Sequence, residues 1–192
     1  LSETDICKSG FNSPVYQLEM DVRALCSRME ELGMRIDEEF CSDTRESLLA
    51  ESEHTIQRME SDYGATITSN QKLAKYLLGV GAVIRKRTNG GDPSVDRESL
   101  EMVLSDQSPG TPIAEVCIAA LRVRDITKLT SNYFGKFLEL HRDGLLHPSI
   151  ETVAARTGRM SIREPALQTL PRGDKPDAKL VRLSIIPRNT DE

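Results

Sequence analysis

The chain has 192 residues, of which 38% are hydrophobic and 29% are charged, so it has enough apolar mass for a core and an ordinary globular balance. No apolar run approaches the roughly 20 residues that span a bilayer, and the N-terminus lacks a signal-peptide pattern, so we expect a cytoplasmic protein with no membrane partner. The net charge of −5 argues against indiscriminate nucleic-acid binding, but residues 1–66 sum to −9 and residues 121–188 to +6.

The first predicted elements are two long antiparallel helices, the second of which is largely solvated. Apolar residues recur at steps of three and four between positions 15 and 32, which predicts one stripe on a helix. Ser13 and Pro14 fit its N-cap and first position, and Gly33 fits its C-terminal cap. Asp37 is placed to cap a second helix over about 38–61. The stripes contain Val15, Leu18, Val22, Leu25, Met29 and Leu32, and then Phe40, Leu48, Ile56 and Met59.

Residues 64–112 predict two short helices, "TSNQKLAKYLL" and "SVDRESLEMVL", that flank the loop "RKRTNGGDPSVD". The cations at 85–87 lie beside a Gly-Gly turn and a hydroxyl-rich helix start, a combination that suits a phosphate. Pro112 opens a third long helix, whose polar side carries Arg122, Arg124 and Lys128. Its apolar side carries Ile113, Val116, Cys117, Ala120, Val123, Ile126 and Leu129.

After Gly144 the helical pattern ends, and "LLHPSIETVAARTGRMSI" and "KLVRLSIIP" predict strands joined by turns. The fold class is therefore mainly α: long antiparallel helices with a small helical tip, followed by a short antiparallel β segment. Within this last part, "ARTGRMSIREPALQTLPR" (residues 155–172) holds Arg156, Arg159, Arg163 and Arg172 against the single acid Glu164.

The spacing of the cysteine and histidine residues predicts neither a metal site nor a disulfide framework. Cys7, Cys26, Cys41 and Cys117 lie far apart without a CxxC pair, and the three histidines match no ligand motif. We interpret the cysteines as reduced and mostly buried thiols.

The arginine-rich segment and its surroundings resemble family A DNA polymerases, the DNA polymerase I type of bacteria and phages. "ARTGRMSIREPALQTLPR" is similar to the segment that the family writes as TGR, then S, then a PxLQ and IP pattern. "LEMDVRALCSRMEELGMRID" resembles the opening thumb helix, "TSNQKLAKYLL" the segment after the second thumb helix, "TNGGDPSVDRESLEMV" the loop at the thumb tip, and "LRVRDITKLTSNY" the returning helix. The pieces occur in family order and cover nearly the whole chain.

The resemblance implies a thumb subdomain over residues 1–144, with its tip at about 64–112, and the N-terminal part of the palm over residues 145–192. Family members join nucleotides with two metal ions, expected to be Mg²⁺, that palm carboxylates hold. The first carboxylate belongs to a DYSxxE motif that would follow "LVRLSIIPRNTDE", and Asp62-Tyr63 does not match that motif because Gly64 follows. We expect no catalytic residue and no cofactor in this chain, which would need the remaining palm and fingers, in cis or in trans, to polymerise DNA.

The resemblance also implies that this chain grips primer-template duplex DNA. A thumb holds the sugar-phosphate backbone, which requires cations and N–H groups that are indifferent to sequence. The residues that match this role are Arg124 and Lys128 on the returning helix, and Ser94 with Thr88 and Gly90 at the tip.

A second set of contacts is implied in the minor groove near the primer terminus. Arg159 matches the arginine of the TGR motif, and Gln168 would read the same groove, where every base pair presents acceptors at equivalent positions. Ala166, Thr169 and Glu151 stand where relatives commonly carry Asn. Arg156 and Arg163 are therefore alternative carriers of the primer contact.

Three hypotheses from different classes follow. The chain is the thumb and the start of the palm of a polymerase, or a stand-alone module that binds duplex DNA, or a helical protein-interaction domain whose arginines meet an acidic partner. Phosphate binding predicts that log affinity falls with log salt by about 0.9 per contact, which separates the third hypothesis from the first two.

Overall fold

The computed structural model describes residues 13–154, 157–171 and 176–188. The chain divides into two compact units, which we call the arm unit (residues 45–132) and the base unit (residues 1–44 together with 133–192). The described part is mostly helical with short antiparallel strand pairs, so the predicted fold class is confirmed. The functional division into thumb and palm at residues 144/145 stays a prediction.

Helix α1 spans Pro14–Leu32 in the base unit, and its predicted caps are confirmed. The Ser13 hydroxyl accepts a hydrogen bond from the Tyr16 amide at 3.1 Å, which satisfies one of the unpaired N–H groups of the first turn. At the other end, the Gly33 amide donates to the carbonyl of Met29 at 3.0 Å. Gly33 has a φ of 68°, in the left-handed region that favours glycine.

The apolar stripe of α1 lies on the solvent side of the helix. Its large side chains are between 46% and 68% exposed, with only Val22 half-buried. Cys26 is buried, and the helix packs against a strand of the base unit. The sequence pattern therefore predicted the helix, but the described residues leave most of the stripe uncovered. Its exposed members are Val15, Leu18, Leu25, Met29 and Leu32.

Four short strands form two antiparallel pairs in the base unit. Strand β1 (Met34–Arg35) pairs with β2 (Leu145–Leu146), with Met34 opposite Leu146. Strand β3 (Ser149–Glu151) pairs with β4 (Ser161–Arg163), with Ile150 opposite Ile162. The prediction of strands in this region is thus confirmed for its first half. Buried apolar residues of the base unit include Ile36, Cys41, Phe134, Phe137, Leu146, Ile150, Ala178 and Val181.

The predicted strand "KLVRLSIIP" is wrong, because this segment lies in helix α7 (Pro176–Leu183). The buried residues Ala178, Val181 and Ser184 recur every three positions, which places them on one helix face, and the segment lacks the strict alternation of a half-buried strand. The residues after the helix lie beside β1: the Ile186 amide donates to the carbonyl of Arg35 at 3.1 Å, and Ile185 forms an isolated antiparallel bridge with Ile36, the residue after β1.

Helix α2 spans Glu38–Tyr63 and connects the base unit to the arm unit along the chain. Its N-terminus is capped as predicted, because the Asp37 carboxylate accepts from the Phe40 amide at 2.9 Å. Leu48 and Met59 of the predicted stripe are buried, whereas Phe40 and Ile56 are half-buried. The narrow stripe is consistent with a helix that exposes much of its surface.

The arm unit contains α3 (Asn70–Gly79), α4 (Arg97–Ser105) and α5 (Pro112–Leu129), as the sequence predicted. At the N-cap of each helix a side-chain oxygen accepts a hydrogen bond from a backbone amide; these N-cap residues are Ser69, Asp96 and Thr111. Helix α4 packs against α5. The core of the arm unit includes Met59, Ile67, Leu73, Leu77, Val95, Leu100, Val103, Val116, Cys117, Ala120 and Val123.

The helical path continues beyond the predicted end of α5. A π-helical turn covers Thr130–Gly135, and α6 follows over Lys136–Leu140. The buried aromatics Phe134 and Phe137 lie on this continuation. Among the described residues, no helix has the length and apolar character that crossing a bilayer requires.

Candidate nucleic-acid interface

The arm unit contains a groove of about 810 Å³ that brings together three of the predicted phosphate contacts. Thr88 and Ser94 come from the loop before α4, and Arg124 comes from α5. Helix α3 forms another wall with polar and apolar side chains. The remaining lining residues are Asn70, Gln71, Ala74, Lys75, Leu78, Asp92, Pro93, Val95 and Asp96.

The loop before α4 folds back on itself as a tight hairpin. The Thr88 amide donates to the carbonyl of Asp92 at 2.8 Å, and the Ser94 amide donates to the carbonyl of Lys86 at 2.8 Å. Thr88 and Gly90 are exposed at the turn, whereas Ser94 is buried with its hydroxyl accepting from the Asp96 amide at 3.3 Å. The loop can therefore offer a phosphate the Thr88 hydroxyl and backbone at Gly90, while Ser94 supports the loop from below.

Arg124 is half-buried and ties two walls of the groove together. Its guanidinium donates to the carbonyl of Val95 and to the side-chain oxygen of Asn70, the latter at 2.9 Å. Burial lowers the pKa of Arg124 and the nearby charge of Arg97 lowers it further, but an arginine starts so high that it stays a cation at neutral pH. These bonds use two of the five N–H groups of a guanidinium, which leaves donors for a phosphate.

The cations at 85–87, which the sequence indicated as a candidate phosphate-binding cluster, already pair with other groups of the arm unit. Lys86 pairs with Asp96 at 2.8 Å and with Glu98 at 2.5 Å. These contacts raise the pKa of Lys86 above its ordinary value and lower that of Asp96. The neighbouring arginines are also paired: Arg85 with Asp106 at 2.8 Å, and Arg87 with the carbonyl of Gly91 at 2.7 Å. A phosphate at this position would have to compete with existing partners.

Besides Arg124, the polar side of α5 carries one paired and one exposed cation. Arg122 donates to both carboxylate oxygens of Glu51, at 2.6 and 2.8 Å, which lowers the pKa of Glu51 and joins α5 to α2. Lys128 lies in the last turn of α5, one helical turn beyond Arg124, and its side chain is exposed. Within residues 13–154, 157–171 and 176–188, the Lys128 ammonium has no hydrogen-bond or ion-pair partner. Lys128 does not line the groove.

The TGR arginine of the base unit is exposed on the connection between β3 and β4. Gly158 precedes it with a φ of 71°, which turns the chain through the left-handed region. The Arg159 side chain has no hydrogen-bond or ion-pair partner in the described part of the chain. Arg156, Arg172 and Cys7 lie outside the described residues.

Gln168, on the 3₁₀ turn Leu167–Thr169, is engaged with the same connection. Its side-chain oxygen accepts from the Ile162 amide at 3.3 Å, and its side-chain nitrogen donates to the carbonyl of Met160 at 3.0 Å. Sequence reasoning assigned Gln168 to the DNA groove and missed this bracing role. The sequence feature that could have indicated this role is a glutamine placed six residues after Ile162 of strand β4.

Arg163 pairs with Glu151 across the β3–β4 sheet at 3.2 Å. The resemblance described above implies an Asn at position 151, so the Glu151 carboxylate partly neutralises a candidate primer contact. Another such position, Thr169, donates its hydroxyl to the carbonyl of Ala166 at 2.8 Å, and its own carbonyl accepts from the Tyr133 hydroxyl at 2.5 Å.

Two side chains of α1 hold strand β3 through hydrogen bonds to one of its residues, a contact that the sequence did not predict. Arg23 donates to the carbonyl of Ile150 at 2.7 Å, and the Glu30 carboxylate accepts from the Ile150 amide. The seven-residue spacing of Arg23 and Glu30 puts both on one helix face, which is the signal that could have identified them. No group of three or more His, Cys, Asp or Glu side chains in the described residues is arranged to hold a metal ion.

Comparison with known proteins gives a consistent result across sequence and structure. A family model described as DNA polymerase family A matches residues 38–192. The DNA polymerase of Mycobacterium phage L5 is 27% identical over 158 residues, which cover 81% of this chain and 26% of that protein. DNA polymerase I of Chloroflexus aurantiacus is 29% identical over 165 residues, which cover 81% of this chain and 17% of that protein.

A solved structure shares the fold. It is the polymerase domain of Pol1 from M. smegmatis, in complex with DNA primer-template and dNTP, and it matches with a TM-score of 0.75 at 22% identity. The match covers 88% of this chain and 29% of that one. This chain therefore spans less than a third of the length of each of these three proteins.

Proposed function

Because this chain belongs to DNA polymerase family A, we propose that it is the thumb and the start of the palm of a DNA-directed DNA polymerase, and that it grips the primer-template duplex during replication. The observation that carries the proposal is the pairing of its cations. Lys128 and Arg159 have no partner in the described part of the chain, whereas the cations at 85–87 and Arg122 are paired. Unpaired cations at positions that match family contacts are available for DNA.

The arm unit supplies contacts to phosphates. Arg124 presents its remaining N–H groups at the groove, and the Thr88 hydroxyl and the backbone at Gly90 are exposed on the hairpin. Ser94 keeps the hairpin in place, and Lys128 adds an exposed charge one turn along α5. Donors to phosphate oxygens carry no sequence information, which suits an enzyme that must accept every base.

The base unit supplies the contact in the minor groove. An exposed guanidinium can donate to the acceptors that every base pair presents there, so Arg159 tests the shape of the duplex near the primer terminus. Arg163 is a weaker candidate because Glu151 holds it, and Arg156 remains an alternative. A flexible side chain without an internal partner loses no existing bond when it binds.

Catalysis belongs to the rest of the polymerase. As the family resemblance implies, we propose that carboxylates of the remaining palm hold the two Mg²⁺ ions. The exposed stripe of α1 gives the remaining palm and fingers an apolar surface to cover, which would remove five large side chains from water. Since the relatives come from bacteria and phages, we propose that the protein works in the cytoplasm of a bacterial or phage-infected cell.

Fluorescence anisotropy with a labelled primer-template hairpin tests the proposal. We expect binding at low salt, with log affinity falling by about 0.9 for each phosphate contact as log salt rises, and several such contacts. Lys128→Ala should reduce the magnitude of that slope by about 1. Lys136→Ala is the matched control, because Lys136 is exposed but pairs with Glu139. Absence of binding at low salt, or equal effects of the two variants, would overturn the proposal.

A further inference from the structure

The outer edge of β4 is closed by a side chain instead of another strand. The Gln168 amide accepts from the N–H of Ile162 and donates to the carbonyl of Met160. These two groups, two residues apart, are the pair that one residue of a neighbouring parallel strand would engage. Gln168 therefore replaces a strand and fixes the backbone from Met160 to Ile162.

The opposite edge of the same sheet is closed in a similar way. Arg23 and Glu30 bind the carbonyl and the amide of Ile150, so these groups point toward α1 and away from β4. Ile150 and Ile162 are directly opposite each other in the sheet. The Ile162 amide points away from β3 and donates its hydrogen bond to the Gln168 side-chain oxygen. With β3 held from α1 and β4 paired with β3, Gln168 fixes the outer edge of β4 and the carbonyl of the residue before it.

We propose that Gln168 is a positioning residue for Arg159 and does not itself read the minor groove; this inference rests on the proposed function of Arg159. Met160 follows Arg159 directly, so a bond to the Met160 carbonyl fixes the direction in which the chain leaves Arg159. The Arg159 side chain has no partner in the described part of the chain, and only the backbone orients it. Turning Gln168 toward DNA would break both of its hydrogen bonds and release that backbone.

The test is a double-mutant cycle on the 192-residue chain, in which the measured quantity is the preference for a primer terminus over blunt duplex. Arg159→Ala should lower this preference, and Gln168→Ala should lower it by about three- to tenfold, the effect of one net hydrogen bond. Because Gln168 acts through Arg159, the double variant should equal Arg159→Ala alone. Gln168→Met, which keeps the length of the side chain but neither bond, should behave like Gln168→Ala.

Two further readouts separate positioning from a general structural role. Affinity for blunt duplex should be unchanged in the Gln168 variants, because the phosphate contacts lie in the arm unit. The amide resonance of Ile162 should shift and exchange faster with solvent in both variants, while that of Ile150, held by Glu30, should keep its protection.

The outcomes distinguish the two proposals. If Arg159→Ala lowers the preference and Gln168→Ala lowers it further in the Arg159→Ala background, Gln168 reads DNA independently and the positioning role is wrong. A loss of blunt-duplex affinity in Gln168→Met would also overturn it. If Arg159→Ala itself leaves the preference unchanged, the minor-groove role under the proposed function fails first.

Discussion

In the arm unit, most cations near the groove already bind a carboxylate or a carbonyl oxygen. In the base unit, a side chain holds the backbone beside Arg159, and the Arg159 guanidinium has no partner in the described part of the chain. Arg124 is held by Val95 and Asn70, and Lys86 by Asp96 and Glu98. Around Arg159, the braced groups are main-chain atoms. Under the proposed function, the arm unit would present already bonded groups to a duplex, and the base unit would present one exposed arginine on a braced backbone.

The sharpest contrast between the units concerns two glycines with similar φ angles. A Cβ at Gly33 in the base unit would lie 2.8 Å from the His147 ring and 2.9 Å from the Leu146 carbonyl oxygen, whereas a Cβ at Gly64 in the arm unit would meet nothing within 4 Å. Both have positive φ, so each substitution carries a left-handed penalty of about 1 kcal/mol. We expect Gly33→Ala to lower the free energy of unfolding by about 3 kcal/mol and Gly64→Ala by about 1, because only Gly33 adds a clash with backbone. Denaturant titration measures both; equal losses would show that the β1–β2 contact is looser than described.

Alkaline pH should destabilise the arm unit through a buried thiol. Burial raises the pKa of Cys117 from 9.0 to about 11. A raised folded-state pKa contributes stability that is fully present below pH 9 and is lost as pH rises toward 11, because the unfolded thiol ionises first. The loss should reach about 2 kcal/mol at pH 11. Denaturant titrations between pH 8 and 11 should show this difference between the parent chain and Cys117→Ala; parallel curves would contradict it.

Arg124→Ala should weaken binding to primer-template and to blunt duplex equally. Under the proposed function the arm unit contacts phosphates, so we expect about a tenfold loss for each ligand at low salt, and a decrease of about 1 in the magnitude of the salt slope. Arg122→Ala on the same helix is the control, because Arg122 pairs with Glu51 and should change stability more than the salt slope. Anisotropy with both ligands measures the effect, and a loss confined to the primer terminus would assign Arg124 the role proposed for Arg159.

The smallest expected effect comes from releasing Lys86. Glu98→Gln removes one of its two carboxylate partners while leaving the Asp96 cap of α4 in place, and should raise duplex affinity by about twofold at low salt. Glu101→Gln changes the net charge by the same amount on the same helix, but Glu101 pairs with Arg97. If both variants raise affinity equally, the gain reflects net charge and not the release of Lys86.

Local signals in the sequence were sufficient for most helices. Ser13 and Asp37 cap the helices that their positions predicted, and Pro112 opens α5. These motifs act over three or four residues, so they can be identified without knowing the fold. The strand predicted at "KLVRLSIIP" failed because burial every three residues, set by packing in the base unit, defines a helix there.

The candidate site was less accessible from sequence because its bonds join distant residues. The pairing of Lys86 with Asp96 and Glu98 depends on how the hairpin before α4 folds, and composition alone indicated an open cluster of cations. Likewise, Arg23 and Ile150 are 127 residues apart, so no local pattern predicts their contact. The family resemblance identified which residues to consider, but not which of them are already bonded within the protein.

The base unit is built from both ends of the chain, with the arm unit inserted between them. Strand β1 at Met34–Arg35 meets β2 only at Leu145–Leu146, and Ile36 meets Ile185. During synthesis on the ribosome, residues 45–132 are complete before most partners of the first segment exist, so we expect the arm to reach its native state first. The segment Met34–Ile36 must then wait for its partners in the emerging polypeptide, open to chaperones until Leu145–Leu146 and Ile185 have left the exit tunnel.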